Sequence, residues 1–198
     1  MRDLAYDLAG NAAKVKYDDL PKDVVEITKK FILDTLATLV AGSSAPGCKS
    51  VVDVIKDWGG KEESTVLVYG GKAVAENAAL ANSMMAHARD FDDTHDKAVL
   101  HANVSVLPAA LAMAERNGGV SGKDLIAAVA TGVDLMCRLG LGAMGSLNWI
   151  LSSTAGYFGG TVAAGKVLGL DENKLLHAMG IAYSQCAGSY QCLVDIAT

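Results

Sequence analysis

Apolar residues recur along most of this chain at three- and four-residue spacing, and the rhythm breaks at glycine, at proline, or at an acid beside a hydroxyl residue. Leu4, Ala5, Leu8 and Ala9 make a short amphipathic opening, weakened by Gly10 and Asn11. Asp18-Asp19-Leu20-Pro21 then reads as a helix start, with acids at the positive end of the helix dipole and Pro21 in a first turn where its missing N–H costs nothing. Val24, Ile27, Phe31, Thr35 and Leu39, flanked by Val25, Ile32, Leu36 and Val40, form a wide stripe that predicts one long helix closed by Gly42. A second helix is predicted from Cys48 to Trp58, with Val51, Val54, Ile55 and Trp58 on one face and Gly59-Gly60 as its stop.

The period changes once. Ser64-Thr65-Val66-Leu67-Val68-Tyr69 reads as a strand, and Gly70-Gly71 before Lys72-Ala73-Val74 suggests a small hairpin. That is too little β-structure for a sheet, and a two-stranded hairpin has to rest on the helices. Residues 75–89, rich in alanine and apolar on nearly every side, predict a buried central helix. The next helix is capped around Asn103 to Ser105, takes Pro108 in its first turn and closes at Gly118-Gly119. Ser121-Gly122-Lys123-Asp124 resembles a capping box with Asp for Glu and launches a helix through Leu139. After a loop around Ser146 to Ile150, Ser152 or Ser153 caps a further helix. Its small face of Gly156, Gly159, Gly160 and Ala163 lets a neighbour approach closely, whereas a phosphate-cradling loop would have to follow a strand, and none is read there. Asp171 caps the last helix, which ends near Gly188. The sum is an all-α fold, a mainly helical multi-layer bundle with one small β-hairpin, read as a single domain over 1–198.

Composition adds a question and removes some answers. With 51% hydrophobic residues and a mean hydropathy of +0.27, a membrane span has to be considered. The longest apolar run, Trp149 to Leu170, holds Lys166 and several hydroxyls and lacks a basic flank, so it reads as a buried helix. Early acids and no continuous apolar segment at the start argue against a secretory signal, and a cytoplasmic protein with no membrane partner is expected. A net charge of −5 with scattered lysines gives no footprint for nucleic acid. Cys48, Cys137, Cys186 and Cys192 lack a CxxC pair, so they read as reduced thiols rather than metal ligands; Cys186 and Cys192 could lie near each other at a helix end.

The chemistry concentrates in Ala88-Arg89-Asp90-Phe91-Asp92-Asp93-Thr94-His95-Asp96, followed by His101. Four carboxylates and two imidazoles emerge where the alanine-rich helix ends, which points to a site as much as to a solvated acidic loop.

Together with Ala79-Leu80-Ala81-Asn82 through His87, Val106-Leu107-Pro108-Ala109-Ala110-Leu111-Ala112, Ser121 to Leu125, and Phe158-Gly159 through Leu170, this stretch resembles the N-terminal helical domain of the MmgE/PrpD family over essentially the whole chain. That family includes 2-methylcitrate dehydratase, cis-aconitate decarboxylase and iminodisuccinate epimerase. The resemblance implies a lyase or isomerase without cofactor or metal, acting on small di- or tricarboxylic acids, usually dimeric, with a second lid domain over the site. It assigns Asp90 as the site aspartate, Thr94 as a substrate-contacting hydroxyl and His101 as the acid/base, consistent with proton transfer at carbon by a group titrating near neutrality. Asp93, Arg89 and Lys97 are the further substrate-binding candidates, with Arg138 a more distant one. Two departures stand out. Asn148-Trp149-Ile150-Leu151 offers no imidazole where the family places a second histidine, and the step from Thr94 to His101 is one residue longer than usual, which makes His95 an alternative to His101. Leu193, Val194 and Ile196 are still arriving near Thr198, so the chain reads as lacking the lid, either because a second chain supplies it or because the sequence is a fragment of the full enzyme. A non-catalytic module that dimerises or binds an organic acid is the competing reading.

Overall fold

A computed structural model describes residues 3–143 and 149–191. Helix α1 (Leu4–Lys14) begins where the Asp3 carboxylate accepts the Ala5 N–H. At its other end the half-buried Lys166 donates to the carbonyls of Ala12 and Val15, each at 2.6 Å, satisfying two groups the helix leaves open. A 3₁₀ turn (Tyr17–Asp19) holds the two acids, and Pro21 stands just before α2 (Lys22–Gly42) rather than inside it. The buried face of α2 is also narrower and more polar than the apolar stripe predicts. Val25, Thr28, Thr35, Thr38, Leu39 and Gly42 face inward, while Leu33 and Val40 are largely exposed. Three of these positions tolerate threonine because each hydroxyl donates back to a carbonyl of the preceding turn.

Helix α3 (Cys48–Trp58) is followed by β1 (Ser64–Thr65) and β2 (Lys72–Ala73), an antiparallel pair in the register Ser64 to Ala73 and Thr65 to Lys72. The strand stops well short of Tyr69. Leu67 gives its N–H to Asn82 Oδ1 rather than to a neighbouring strand, and Val68 turns to a φ of 65°. As its marginal size requires, the hairpin rests on helices: buried Ser64 donates to Ala112 O at 2.6 Å, and the Asn82 amide spans Leu67 N–H and Thr65 O.

The centre is built from α4 (Ala75–His87), α5 (Asn103–Arg116), α6 (Gly122–Gly142) and α7 (Leu151–Val167), with α8 (Glu172–Gln185) against α1 and α7. Pro108 lies well inside α5, not in its first turn. A proline there removes the N–H that would reach Val104 O, and the Ser83 hydroxyl of α4 donates to that carbonyl instead. Ser121 caps α6 through the Asp124 N–H, and Asp171 caps α8 through the Lys174 N–H, as read from sequence. Neither Ser152 nor Ser153 caps α7: the N-cap is Ile150, Ser152 serves His101, and Ser153 donates to Ala187 O. Helix α8 closes at Cys186, ahead of Gly188.

The small-residue face of α7 does what its glycines suggest. A Cβ on Gly132 of α6 would lie 2.8 Å from Gly159 O, and one on Gly159 would lie 3.0 Å from Gly132 O, so the two backbones touch. Around this crossing Val106, Leu107, Val129, Met136, Ala163 and Val167 form the main core. Ala9, Leu135, Val162, Leu175 and Met179 join α1 and α8 to it, and Leu39, Cys48, Met85 and Val104 tie α2 and α3 to α4 and α5. Helix α6 is long and apolar enough to cross a bilayer by composition, yet here its apolar face packs into this core. Cys48, Cys137 and Cys186 are free thiols; Cys192, and with it the expected approach of Cys186, lies outside the described residues, as do most of the predicted 146–150 loop and the terminal apolar positions.

Candidate active site

The acidic motif spans the connection from α4 to α5, and both ends are pinned. Beyond His87, the last residue of α4, Asp90 N–H returns to His87 O at 3.0 Å with Asp90 in the left-handed region (φ 55°). On the far side Ala98, Leu100 and Ala102 are buried in alternation while Val99 is exposed, so this stretch lies like a strand on the core. It rests on Gly140 of α6, where a Cβ would come within 2.9 Å of Ala98 O. His101 N–H donates to Ser152 Oγ of α7 at 2.9 Å. A bridge between His95 and Leu100 closes the intervening loop, and the Ala98 N–H donates to His95 Nδ1 at 3.1 Å. His95 is thus engaged in shaping the loop.

At the centre is Asp92, whose side chain is fully buried. One carboxylate oxygen faces His87 Nδ1 at 2.9 Å and the other faces His101 Nδ1 at 3.0 Å. The two rings meet edge to face, 4.9 Å between centroids. Burial pushes the Asp92 carboxyl up, but the hydrogen bond and charge of His87, its own backbone and the charge of His101 together outweigh it and hold the group below the ordinary aspartate range. The same hydrogen bond raises the His87 imidazole, against the opposing effect of its partial burial. An ionised carboxylate only accepts, so both imidazoles carry their proton on Nδ1 and turn Nε2 away from Asp92. His101 Nε2 lies 3.6 Å from the exposed Asp90 carboxylate. The arrangement offers a carboxylate-oriented imidazole with its second nitrogen free to give or take a proton.

Of the residues singled out from sequence, the structure therefore brings Asp90 and His101 together. Asp93 has a different partner: its carboxylate accepts the Asn103 N–H at 3.2 Å and the Asn103 side-chain amide at 3.3 Å, closing the open start of α5. Burial pushes the Asp93 carboxyl up, the Asn103 bonds oppose this, and the charge of Asp92 adds to the push. Thr94 and Lys97 are exposed, and Arg89 reaches Ser44 Oγ at 3.3 Å. Arg138 pairs with Asp134 on α6 at 2.7 Å. Among the described residues no lysine or arginine forms an ion pair with Asp90, Asp92 or either imidazole. The sequence reading missed Asp92 and His87 as partners of His101. The position of His87, one turn beyond Ser83 at the exposed end of the predicted helix, is the signal that would have found it.

Fold and site together define a helical domain in which His87, at the end of α4, and His101, just before α5, share the buried Asp92 carboxylate. Comparison with known proteins agrees with that class: the MmgE/PrpD N-terminal domain matches residues 6–197. A cis-aconitate decarboxylase of Aspergillus terreus is 35% identical over 185 residues, covering 89% of this chain and 38% of the relative. The cis-aconitate decarboxylase-like protein oryM of Aspergillus oryzae is 30% identical over 192 residues, and the cis-aconitate decarboxylase of Mus musculus 28% over 194, covering 40% and 39% of their lengths. The chain belongs to the MmgE/PrpD family and spans about two fifths of the length of these relatives.

Proposed function

We propose that this domain supplies the proton-transferring histidine of an organic-acid lyase acting on a small di- or tricarboxylic acid, with decarboxylation of a cis-aconitate type substrate ahead of dehydration of a 2-methylcitrate type one. The observation that carries the reading is His101, held by buried Asp92 through Nδ1 with Nε2 free. The identity of the relatives favours decarboxylation. In such a substrate the departing carboxylate sits on a methylene next to the double bond. As the carbon–carbon bond breaks and CO2 leaves, its electron pair forms a new terminal double bond, the old double bond's pair moves to its far carbon, and that carbon takes one proton. His101, protonated on both nitrogens for this step, delivers that proton from Nε2 and keeps Nδ1–H on Asp92, which fixes the orientation of the ring. The Asp90 carboxylate stands 3.6 Å from that Nε2.

The substrate's own carboxylates need cations. Arg89 and Lys97 are exposed on the same loop, and the remainder of the full-length protein or a second subunit supplies the others in this reading. The test is the intact protein as its native cells make it, incubated with cis-aconitate in D2O and followed by proton NMR. One deuterium in the new methylene, lost with His101→Ala, is expected; turnover that survives His101→Ala overturns the role of His101. The second reading, an organic-acid-binding module without turnover, is favoured by the absence of an imidazole in Asn148-Trp149-Ile150-Leu151. A raised melting temperature with cis-aconitate but no product supports it.

A further inference from the structure

We infer that His87, His101 and Asp90 form a site for one divalent transition-metal ion, oriented by Asp92, and that an ion bound there withdraws His101 from proton transfer. Binding of the ion does not depend on the protein turning over an organic acid; only its effect on proton transfer rests on the role proposed for His101.

The first support is the tautomer. Both Nδ1–H groups are committed to one buried carboxylate, at 2.9 and 3.0 Å, which leaves two imidazole Nε2 lone pairs unprotonated in the neutral rings. A metal-binding histidine almost always donates its other N–H to a carboxylate or carbonyl, which fixes the ring and raises its basicity. Here one carboxylate does this for two rings at once.

The second support is distance. His87, Asp90, Asp92 and His101 each offer one ligand atom, a ring nitrogen or a carboxylate oxygen, such that the four lie within 4.8 Å of one another. Two ligands about 2.0–2.2 Å from a tetrahedral ion are roughly 3.3–3.6 Å apart, and Asp90 Oδ1 already stands 3.6 Å from His101 Nε2. Bringing His87 Nε2 to the same ion asks for rotation of side chains with room to move, Asp90 being 78% and His87 45% exposed. The turn that returns Asp90 N–H to His87 O, with its left-handed φ, is what sets this carboxylate beside His101.

The third support is charge. Asp90, Asp92, Asp93 and Asp96 crowd one loop, and no described lysine or arginine ion-pairs with the cluster's own carboxylates. Two imidazole nitrogens and one carboxylate oxygen suit Zn²⁺, Co²⁺, Ni²⁺ or Cu²⁺, not Mg²⁺ or Ca²⁺, which take oxygen ligands. Three protein ligands leave a coordination position open to water or to a carboxylate from outside. Occupancy and acid/base work are mutually exclusive because both use His101 Nε2.

The test is Co²⁺ and Zn²⁺ titration of the chelator-treated full-length protein, read by visible absorption for Co²⁺ and by calorimetry for Zn²⁺. One equivalent should bind, Zn²⁺ should displace Co²⁺, and excess Mg²⁺ should not compete. His87→Ala and Asp90→Ala should each weaken binding at least tenfold, and Asp92→Asn by about 10–100-fold through lost ring orientation, whereas His177→Ala on α8 should leave it unchanged. If Asp92→Asn does not fold, the two exposed ligands carry the test. No one-to-one binding below millimolar ion, or binding unchanged by both His87→Ala and Asp90→Ala, overturns the inference. Because the readout is binding, a protein inactive on cis-aconitate tests it equally well.

Discussion

The contact between Ser83 and Val104 carries more than its size suggests. Pro108 has no N–H, so the Val104 carbonyl, on a residue only 5% exposed, would be left without a partner inside α5 were it not for the Ser83 hydroxyl. Ser83 sits one turn before His87 on α4, and Val104 lies in the first turn of α5 just after His101, so the same bond ties the helix end that carries one imidazole to the helix start that follows the other. Ser83→Ala should cost about 2 kcal/mol, within the 1–3 kcal/mol of a buried polar group that loses its only partner. That is a fall of roughly 4–8 °C in melting temperature for a chain of this size. In a Pro108→Ala background residue 108 regains its N–H, Val104 O is satisfied within the helix, and Ser83→Ala should cost only about 0.5 kcal/mol. The cycle therefore predicts a coupling of about 1.5 kcal/mol, measurable by urea unfolding followed by circular dichroism across the four variants. Equal losses in both backgrounds would refute the reasoning.

Two further expectations concern the same connection. Asp92 has a depressed pKa, so its contribution to stability is present above the unfolded carboxylate value near 3.8 and is lost as pH falls through its lower folded value. His87 has a raised pKa, so its contribution is full below the unfolded imidazole value near 6.5 and disappears as pH rises through its higher folded value. Urea midpoints measured against pH should show a contribution from the pair that is largest between about pH 4 and 6.5, and His87→Gln should flatten the alkaline limb; an unchanged limb would remove His87 from the linkage. Val99, β-branched and exposed at a φ of 51°, adopts a conformation that costs such a residue about 1–3 kcal/mol. Val99→Gly should accordingly raise the unfolding midpoint despite the added chain entropy of glycine, and a clear drop would mean that the valine side chain contributes more than the backbone strain removes.

Local signals were readable where one residue type has one job. Ser121 and Asp171 cap helices as their positions imply, and the Gly156-to-Ala163 face meets its neighbour backbone to backbone. The family resemblance likewise places His101 and Asp90 side by side. What spacing could not decide is which of four nearby aspartates is buried. That depends on the left-handed turn at Asp90, closed on His87 O, and on the strand-like burial of Ala98, Leu100 and Ala102, where Ala98 and Leu100 pack against Gly140 of α6. Pro108 was misplaced for a related reason. Its compensating donor is on another helix, so the sequence around it looks like a helix start. Asp93, read as a substrate contact, instead closes α5, a role defined only once the two ends of the loop meet.

The crossing at Gly132 and Gly159 has a mechanical consequence. With no side chain between them, α6 and α7 have no layer of rotamers to slip over, and they should behave as a single stiff plate under the site. His101 is bolted to that plate through Ser152, while His87 belongs to the end of α4 on the other side. Any displacement that separates the imidazoles must then be taken up by the 88–100 connection, and Asp92, bonded to both rings, is the one side chain that would register the movement directly.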